Sequence, residues 1–221
     1  MNKHLIAIAL LGAATGAWAQ TAGSWLIQGG VTQISPSVKS GALSAPAPSG
    51  TTVGIGSDTQ PTLQLTYIYN DHWSVAVPVG AGFKHKLYGT GAIAGTGQIG
   101  TVTALPISVF GQYRFGEANA KFRPYGMLGL SYVHFQNAKG SAVLNGINPI
   151  NPSGGNTDLK MDSKLALSPG LGMFIRINDR WFVDVSYAKT FLRTTTTLST
   201  GQTIDSTLNP GITTLGVGFS F

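Results

Sequence analysis

The sequence predicts an all-β fold: an eight-stranded antiparallel transmembrane β-barrel with short periplasmic turns and long extracellular loops. Three observations carry this expectation. Large apolar residues alternate with small or polar ones through eight separate segments, the period-two pattern of strands with two unlike faces. The connections between segments alternate between short and long, as they do in barrels of the outer membrane. Charged residues make up 10% of the 221-residue chain, against roughly 25% in ordinary soluble proteins. Hydrophobic content is an unremarkable 43%, so the anomaly is a shortage of charge. A disordered chain would be charge-rich and poor in apolar residues, and past residue 19 no apolar run approaches the ~20 residues of a membrane-spanning helix.

The eight segments follow in order. Residues 25–34 place Trp25, Ile27 and Val31 on one face, and residues 62–69 do the same with Leu63, Leu65, Tyr67 and Tyr69. Residues 73–83 carry Trp73, Val75, Val77 and Val79, read as one continuous strand. Residues 102–115 present Leu105, Ile107, Val109, Tyr113 and Phe115, and residues 124–135 present Leu128, Leu130 and Tyr132. Residues 164–177 and 181–192 follow, the latter with Trp181, Val183, Val185, Tyr187 and Phe191. The last, 212–221, sets Thr213, Leu215, Val217, Phe219 and Phe221 against Ile212, Thr214, Gly216, Gly218 and Ser220. Asn70-Asp71-His72, residues 116–121 and Asn178-Asp179-Arg180 supply short turns, with residue types that tolerate tight backbone angles. The stretches 35–59, 84–101, 136–163 and 193–207 are long and rich in Gly, Ser, Pro, Asn or Thr.

A lipid-spanning sheet must close, because an open edge leaves backbone groups unpaired in hydrocarbon. Tyr67, Tyr69, Trp73, Tyr113, Phe115, Trp181 and Phe219 fall beside the short turns or the chain end, where a periplasmic aromatic girdle belongs. The N-terminus reads as an export signal. Lys3 is followed by ten apolar residues and by Ala17-Trp18-Ala19, a small-x-small cleavage pattern. Residues 1–19 are therefore expected to be a signal peptide and 20–221 the barrel. Cysteine is absent, so disulfides play no part. The net charge is +6, with basic residues too scattered for a nucleic-acid footprint. The densest group, Lys84-His85-Lys86, reads as a contact to anionic lipid headgroups.

The block 105–135, with Tyr113, Phe115 and Gly116 followed by Phe122, Arg123, Pro124 and Tyr125, resembles the fourth and fifth strands of the OmpW family of outer-membrane proteins, whose members include an alkane-uptake protein. Phe83-Lys84-His85-Lys86 is similar to the segment that opens that family's second external loop. The resemblance extends over the mature chain in strand order and loop length. It implies an eight-stranded barrel that passes small hydrophobic molecules across the bacterial outer membrane and releases them through the wall. Some members narrow the lumen with a large apolar residue on the third strand and an aromatic on the seventh. The matching positions here hold Pro78 and Ala188, so no gate carries over and the upper cavity is expected to be wider.

With the larger apolar face given to lipid, the lumen falls into two parts. A polar periplasmic plug would contain Gln112, Arg114, Arg176 and Asp184, with Ser74 nearby. Above it, Ala76, Pro78, Pro106, Phe110, Met127, Val133, Ala188 and Ile212 would line an apolar upper lumen. Pro78 and Pro106 cannot donate a ladder hydrogen bond and are the candidates for a lateral opening. An apolar solute would gain from burial above, would be stopped by charge below, and would leave sideways.

Other chemistry is weakly signalled. GTGQIG at 95–100 matches a dinucleotide-binding pattern, but that motif needs a following helix and a strand-like run follows instead. His72, His85 and His134 lack metal-ligand spacing, and His134 and Ser131 are expected on opposite faces, which argues against a nucleophile and base. No enzyme activity and no cofactor are expected. The functional expectation is a passive channel for small hydrophobic molecules. The alternative is a structural or partner-binding barrel acting through its extracellular loops. Expected partners are outer-membrane lipid and lipopolysaccharide, small hydrophobic solutes and the outer-membrane assembly machinery, for which the C-terminal Phe221 would be the signal.

Overall fold

A computed structural model describes residues 22–147 and 157–221; the expected signal peptide, 1–19, lies outside the described residues. The elements are β1 (Trp25–Ser35), β2 (Lys39–Ser40), β3 (Thr51–Ile55), β4 (Asp58–Ile68), β5 (Trp73–Gly80), β6 (Phe83–Gly91), β7 (Gln98–Arg114) and β8 (Phe122–Gly140). A short helix α1 (Ala142–Ile147) follows, then β9 (Leu159–Met161), β10 (Lys164–Arg176), β11 (Trp181–Lys189), β12 (Arg193–Leu198), β13 (Thr203–Thr207) and β14 (Gly211–Ser220). The main sheet runs β3-β6-β7-β5-β4-β1-β14-β11-β10-β8, and the β7–β8 pairing closes it. Counting β5 and β6 as one broken stave gives an eight-stranded antiparallel barrel. Neighbouring strands in it pair antiparallel, as hairpins and the β1–β14 seam require.

Alternation sets the two faces. On β14, Thr213, Leu215 and Val217 are exposed while Gly216, Gly218 and Ser220 are buried. The seam runs from Leu26↔Ser220 to Ser35↔Gly211, and Phe221 closes it by exchanging backbone hydrogen bonds with Trp25 at 2.9 and 3.0 Å. The small inner face of β14 has a packing reason. A Cβ on Gly218 would collide with the Phe182 ring, and the lumen of an eight-stranded barrel has room for little more than its own side chains. Outside, Trp73 and Tyr113 meet edge-on at 5.1 Å, as do Trp181 and Phe219 at 5.3 Å. These are members of the expected periplasmic girdle. Asn70 and Asn178 close the first and third turns in the same way: each side-chain oxygen accepts from the backbone N–H of the strand that follows, Trp73 and Trp181 respectively.

One sequence expectation is corrected. The third strand is not continuous, because it breaks at Ala81-Gly82 between β5 and β6. The long connections, whose order the sequence left open, carry strands of their own. Residues 83–91 and 98–114 form a hairpin that carries the barrel wall outward, and β12 and β13 form another that joins β9 and β2 in a four-stranded sheet. The run GTGQIG is the turn of the first hairpin and the start of β7. The Thr-rich stretch 193–207 forms strands because threonine fits a pleated, half-buried surface well.

Candidate functional site

From the periplasmic end upward, the lumen is filled in layers. At the base, Leu26, Ile68, Phe174 and Phe182 form a buried apolar cluster, with the two phenylalanine rings stacked at 4.4 Å. Above it sits a polar layer. Arg114 donates from Nε to Ser74 Oγ at 3.0 Å and from Nη2 to Gln112 Oε1 at 3.1 Å, and Ser74 donates to the same Gln112 oxygen at 2.9 Å. Its guanidinium lies 5.5 Å from the centres of both the Tyr125 and Phe174 rings. Tyr125 in turn donates its hydroxyl to Asp184 Oδ1 at 3.0 Å, and Gln28 is hydrogen-bonded to the same carboxylate. Buried opposite charges of this kind are costly to separate, so the layer is a fixed floor.

Of the expected plug residues, Gln112, Arg114 and Asp184 are brought together here. Arg176 lies two residues past Phe174 at the periplasmic rim and is only half-buried. Sequence reasoning missed Gln28, Tyr125 and the basal cluster. Alternation marks Phe174 and Phe182 as inward, opposite to Met173 and Val183, but the assumption that large side chains face lipid hid them. Fully buried Arg123 has a separate role: it donates to the carbonyls of Asp71, Phe115 and Gly116 and so ties two periplasmic turns together.

Above the floor the lumen becomes apolar. Ala76, Phe110 and Ala188 pack with Met127 and Ile212. An apolar cavity opens above them, with Pro78 and Pro106 in its wall. A second cavity shares Ile34, Pro106 and Ile212 with the first and includes Val133. A third shares Ile55 with the second and is lined by β3, the β6–β7 and β12–β13 hairpins, α1 and β9. The residues expected to line the apolar lumen therefore all face inward, and the cavities above them follow one another toward the extracellular end with wall residues in common.

The wall of the lowest cavity is interrupted. The β5–β7 ladder runs from Trp73↔Tyr113 to Ala76↔Phe110, and β6 resumes the pairing only at Phe83↔Ala104. Among the described residues, 77–82 have no ladder partner in 105–109. The same cavity is lined from inside by Thr32 and Ala188 and from this interrupted wall by Val79, Gly80, Ala81 and Leu105. Val79 is 60% exposed on the outer surface.

The reason lies in the two prolines. The Trp73 carbonyl accepts from Tyr69 and therefore faces β4, while the Arg114 N–H donates to His72 O and faces β5. Backbone groups alternate sides along a strand. Residues 74, 76 and 78 of β5 therefore aim at β7, and residues 106, 108, 110, 112 and 114 of β7 aim back. Continuing the Ala76↔Phe110 register would pair residue 78 with 108 and residue 80 with 106. Each of these pairs needs two hydrogen bonds, and each would lack one, because Pro78 and Pro106 have no N–H to give.

The remaining candidates are dispersed. His72 Nδ1 contacts Arg114 O at 3.0 Å in the periplasmic turn, and His134 Nδ1 contacts Ser163 Oγ at 3.1 Å. Ser131 is buried on the lumen side and bonded to Ser108 at 2.7 Å. Among the described residues no three His, Cys, Asp or Glu side chains converge as metal ligands would.

A closed antiparallel barrel with an apolar outer belt, an aromatic girdle and a packed base is an outer-membrane β-barrel. The family model for the OmpW family matches residues 21–221. The chain belongs to that family and resides in the bacterial outer membrane. It is 30% identical over 227 residues, spanning all of both chains, to the outer membrane protein W of Vibrio cholerae serotype O1. Among solved structures it is similar to OprG from Pseudomonas aeruginosa, with a TM-score of 0.79 and 24% identity over 92% of this chain and 98% of that one. It is also similar to AlkL, solved by solid-state NMR in DMPC bilayers, with a TM-score of 0.66 and 19% identity over 100% and 97% of the two chains. These two likenesses show the fold.

Proposed function

We propose that this protein is a passive channel for the uptake of small hydrophobic molecules. Solutes enter the apolar cavity at the extracellular end, descend through the cavities below it and leave sideways into the membrane above the polar floor. The observation that carries this reading is the unpaired stretch of wall between residues 77–82 and 105–109, set where the lowest apolar cavity meets the outer surface. Burying apolar surface contributes about 25 cal/mol per Å², so an apolar solute is held by the cavities. Crossing the Arg114–Asp184 layer would strip hydrogen bonds from buried charges, which costs several kcal/mol. The lateral route avoids that cost. Pro78 and Pro106 act as its frame, the apolar lumen residues from Ala76 to Ile212 as its path, and Gln112, Arg114 and Asp184 as its floor.

Uptake of a medium-chain alkane by cells with and without the protein, at matched surface expression, tests the proposal. Faster uptake that survives energy depletion is expected. Equal uptake with the barrel shown to be folded would sink the channel reading and favour a role for the extracellular sheet and hairpins in binding partners.

A further inference from the structure

The run Lys84-His85-Lys86 does not act as one patch. On β6 the two lysines are exposed, while His85 points into the barrel and is 3% exposed. Three residues of this strand are fixed by Gly56, just before β4, and by Asp58, the first residue of β4. Gly56 N donates to Lys86 O at 2.9 Å. Gly56 O accepts from His85 Nδ1 at 2.8 Å, and Asp58 Oδ2 accepts from Lys84 N at 2.8 Å. A carbonyl can only accept, so Nδ1 carries the ring proton. The neutral ring is thereby left with Nε2 as a bare acceptor, and among the described residues Nε2 has no hydrogen-bond partner.

The ring lines the middle cavity, between Ile55 on the upper side and the Ile34, Pro106 and Ile212 wall shared with the lower one. The other polar side chains of that cavity are Ser131 and Thr190, and both are engaged in a hydroxyl chain through Ser168, with Ser168 to Thr190 at 2.8 Å. His85 stands above the lipid belt, flanked by outward lysines. Burial pushes its imidazole below the ordinary value, with the Gly56 bond and Asp58 opposing, which favours the neutral ring that the Gly56 bond orients.

We propose that His85 forms a specificity site in this middle cavity for apolar molecules that carry one neutral O–H donor, with medium-chain primary alcohols as the class. The hydroxyl donates to Nε2 while the alkyl chain lies against the apolar wall. A hydrocarbon in the same cavity leaves Nε2 unpaired, and an ether has no proton to give. This inference rests on the channel reading, because it places the alcohol on the route that reading defines.

The test uses the whole barrel in lipid nanodiscs, with ¹⁵N-labelled histidine and methyl-labelled valine, titrated separately with 1-octanol, octyl methyl ether and nonane. The expected result is that His85 Nε2 shifts saturably with octanol alone, while the Val133 methyls in the same cavity respond to all three. An equal Nε2 shift with the ether would overturn the proposal, as would a still Nε2 beside responsive Val133 methyls. If the Val133 methyls respond to none of the three, the route itself fails and the channel reading with it. A His85→Phe variant should bind octanol about 3–10-fold more weakly relative to the ether, the scale of one neutral hydrogen bond. An unchanged ratio would count against the assignment.

Discussion

Replacing Pro78 and Pro106 together by valine restores two backbone N–H groups that point across the gap between β5 and β7. In the continued register, residue 78 would donate to Ser108 and residue 106 to Gly80, completing two antiparallel pairs that now lack one bond each. A net gain of about 0.5–1.5 kcal/mol per hydrogen bond biases the wall toward closure by about 1–3 kcal/mol. That corresponds to a roughly 5–150-fold shift in the open population. If solutes leave through this gap, alkane uptake should fall by a factor in that range at matched surface expression. Amide hydrogen exchange gives an independent readout, since residues 77–82 and 105–109 should gain protection in the variant. Newly protected amides with undiminished uptake would refute the reasoning, because the wall would have closed without closing the route.

Removing one side of the buried polar floor should be costly, and Arg114→Met is expected to lower stability by about 3–5 kcal/mol, read by urea unfolding in micelles. Adding bulk on the small inner face of the barrel should also destabilise it. At Gly172 a Cβ would meet the Tyr125 ring, and Gly172→Val should cost at least the ~1–3 kcal/mol of an overpacked core in the same assay. The folded-state pKa of His85 lies below the ordinary 6.5, so the native state binds its proton later than the unfolded state does. The stability this contributes is complete above pH 6.5 and is lost as pH falls through the folded value. An unfolding midpoint that drops between pH 7.5 and 5 in the wild type, but less in His85→Gln, is expected. Deleting Phe221 should reduce the amount of assembled barrel more than the unfolding midpoint of what does assemble. Equal effects on both would assign the residue to packing alone.

The barrel was legible because its outer face answers to one solvent. Leu63, Val75, Ile107, Leu128 and Leu215 all face lipid, and period-two alternation exposes that face without knowledge of strand partners. The floor was half legible: Gln112, Arg114 and Asp184 stand out as polar residues on the small face. Tyr125 and Gln28 join them only through strands far apart in sequence. The break at Ala81-Gly82 was missed because the hydrophobic pattern runs on through it. What fails there is backbone pairing, which depends on Pro78 and Pro106 facing each other's strands across the gap, where each has no N–H to give. Lys84-His85-Lys86 misled for a related reason. Read as composition it is a basic cluster, whereas read as a strand it separates two outward lysines from one inward imidazole.

The central claim is that solutes leave through the wall between residues 77–82 and 105–109. The chain has no cysteine, so a Pro78→Cys/Ser108→Cys pair, bridged by a short bis-maleimide reagent, can pin the gap. The most direct measurement is alkane uptake by cells carrying this double variant, before and after bridging, with bridging scored by a mass increase. Uptake that collapses on bridging to the level of cells lacking the protein is the predicted result. Uptake that continues at its previous rate through a fully bridged wall would contradict the account.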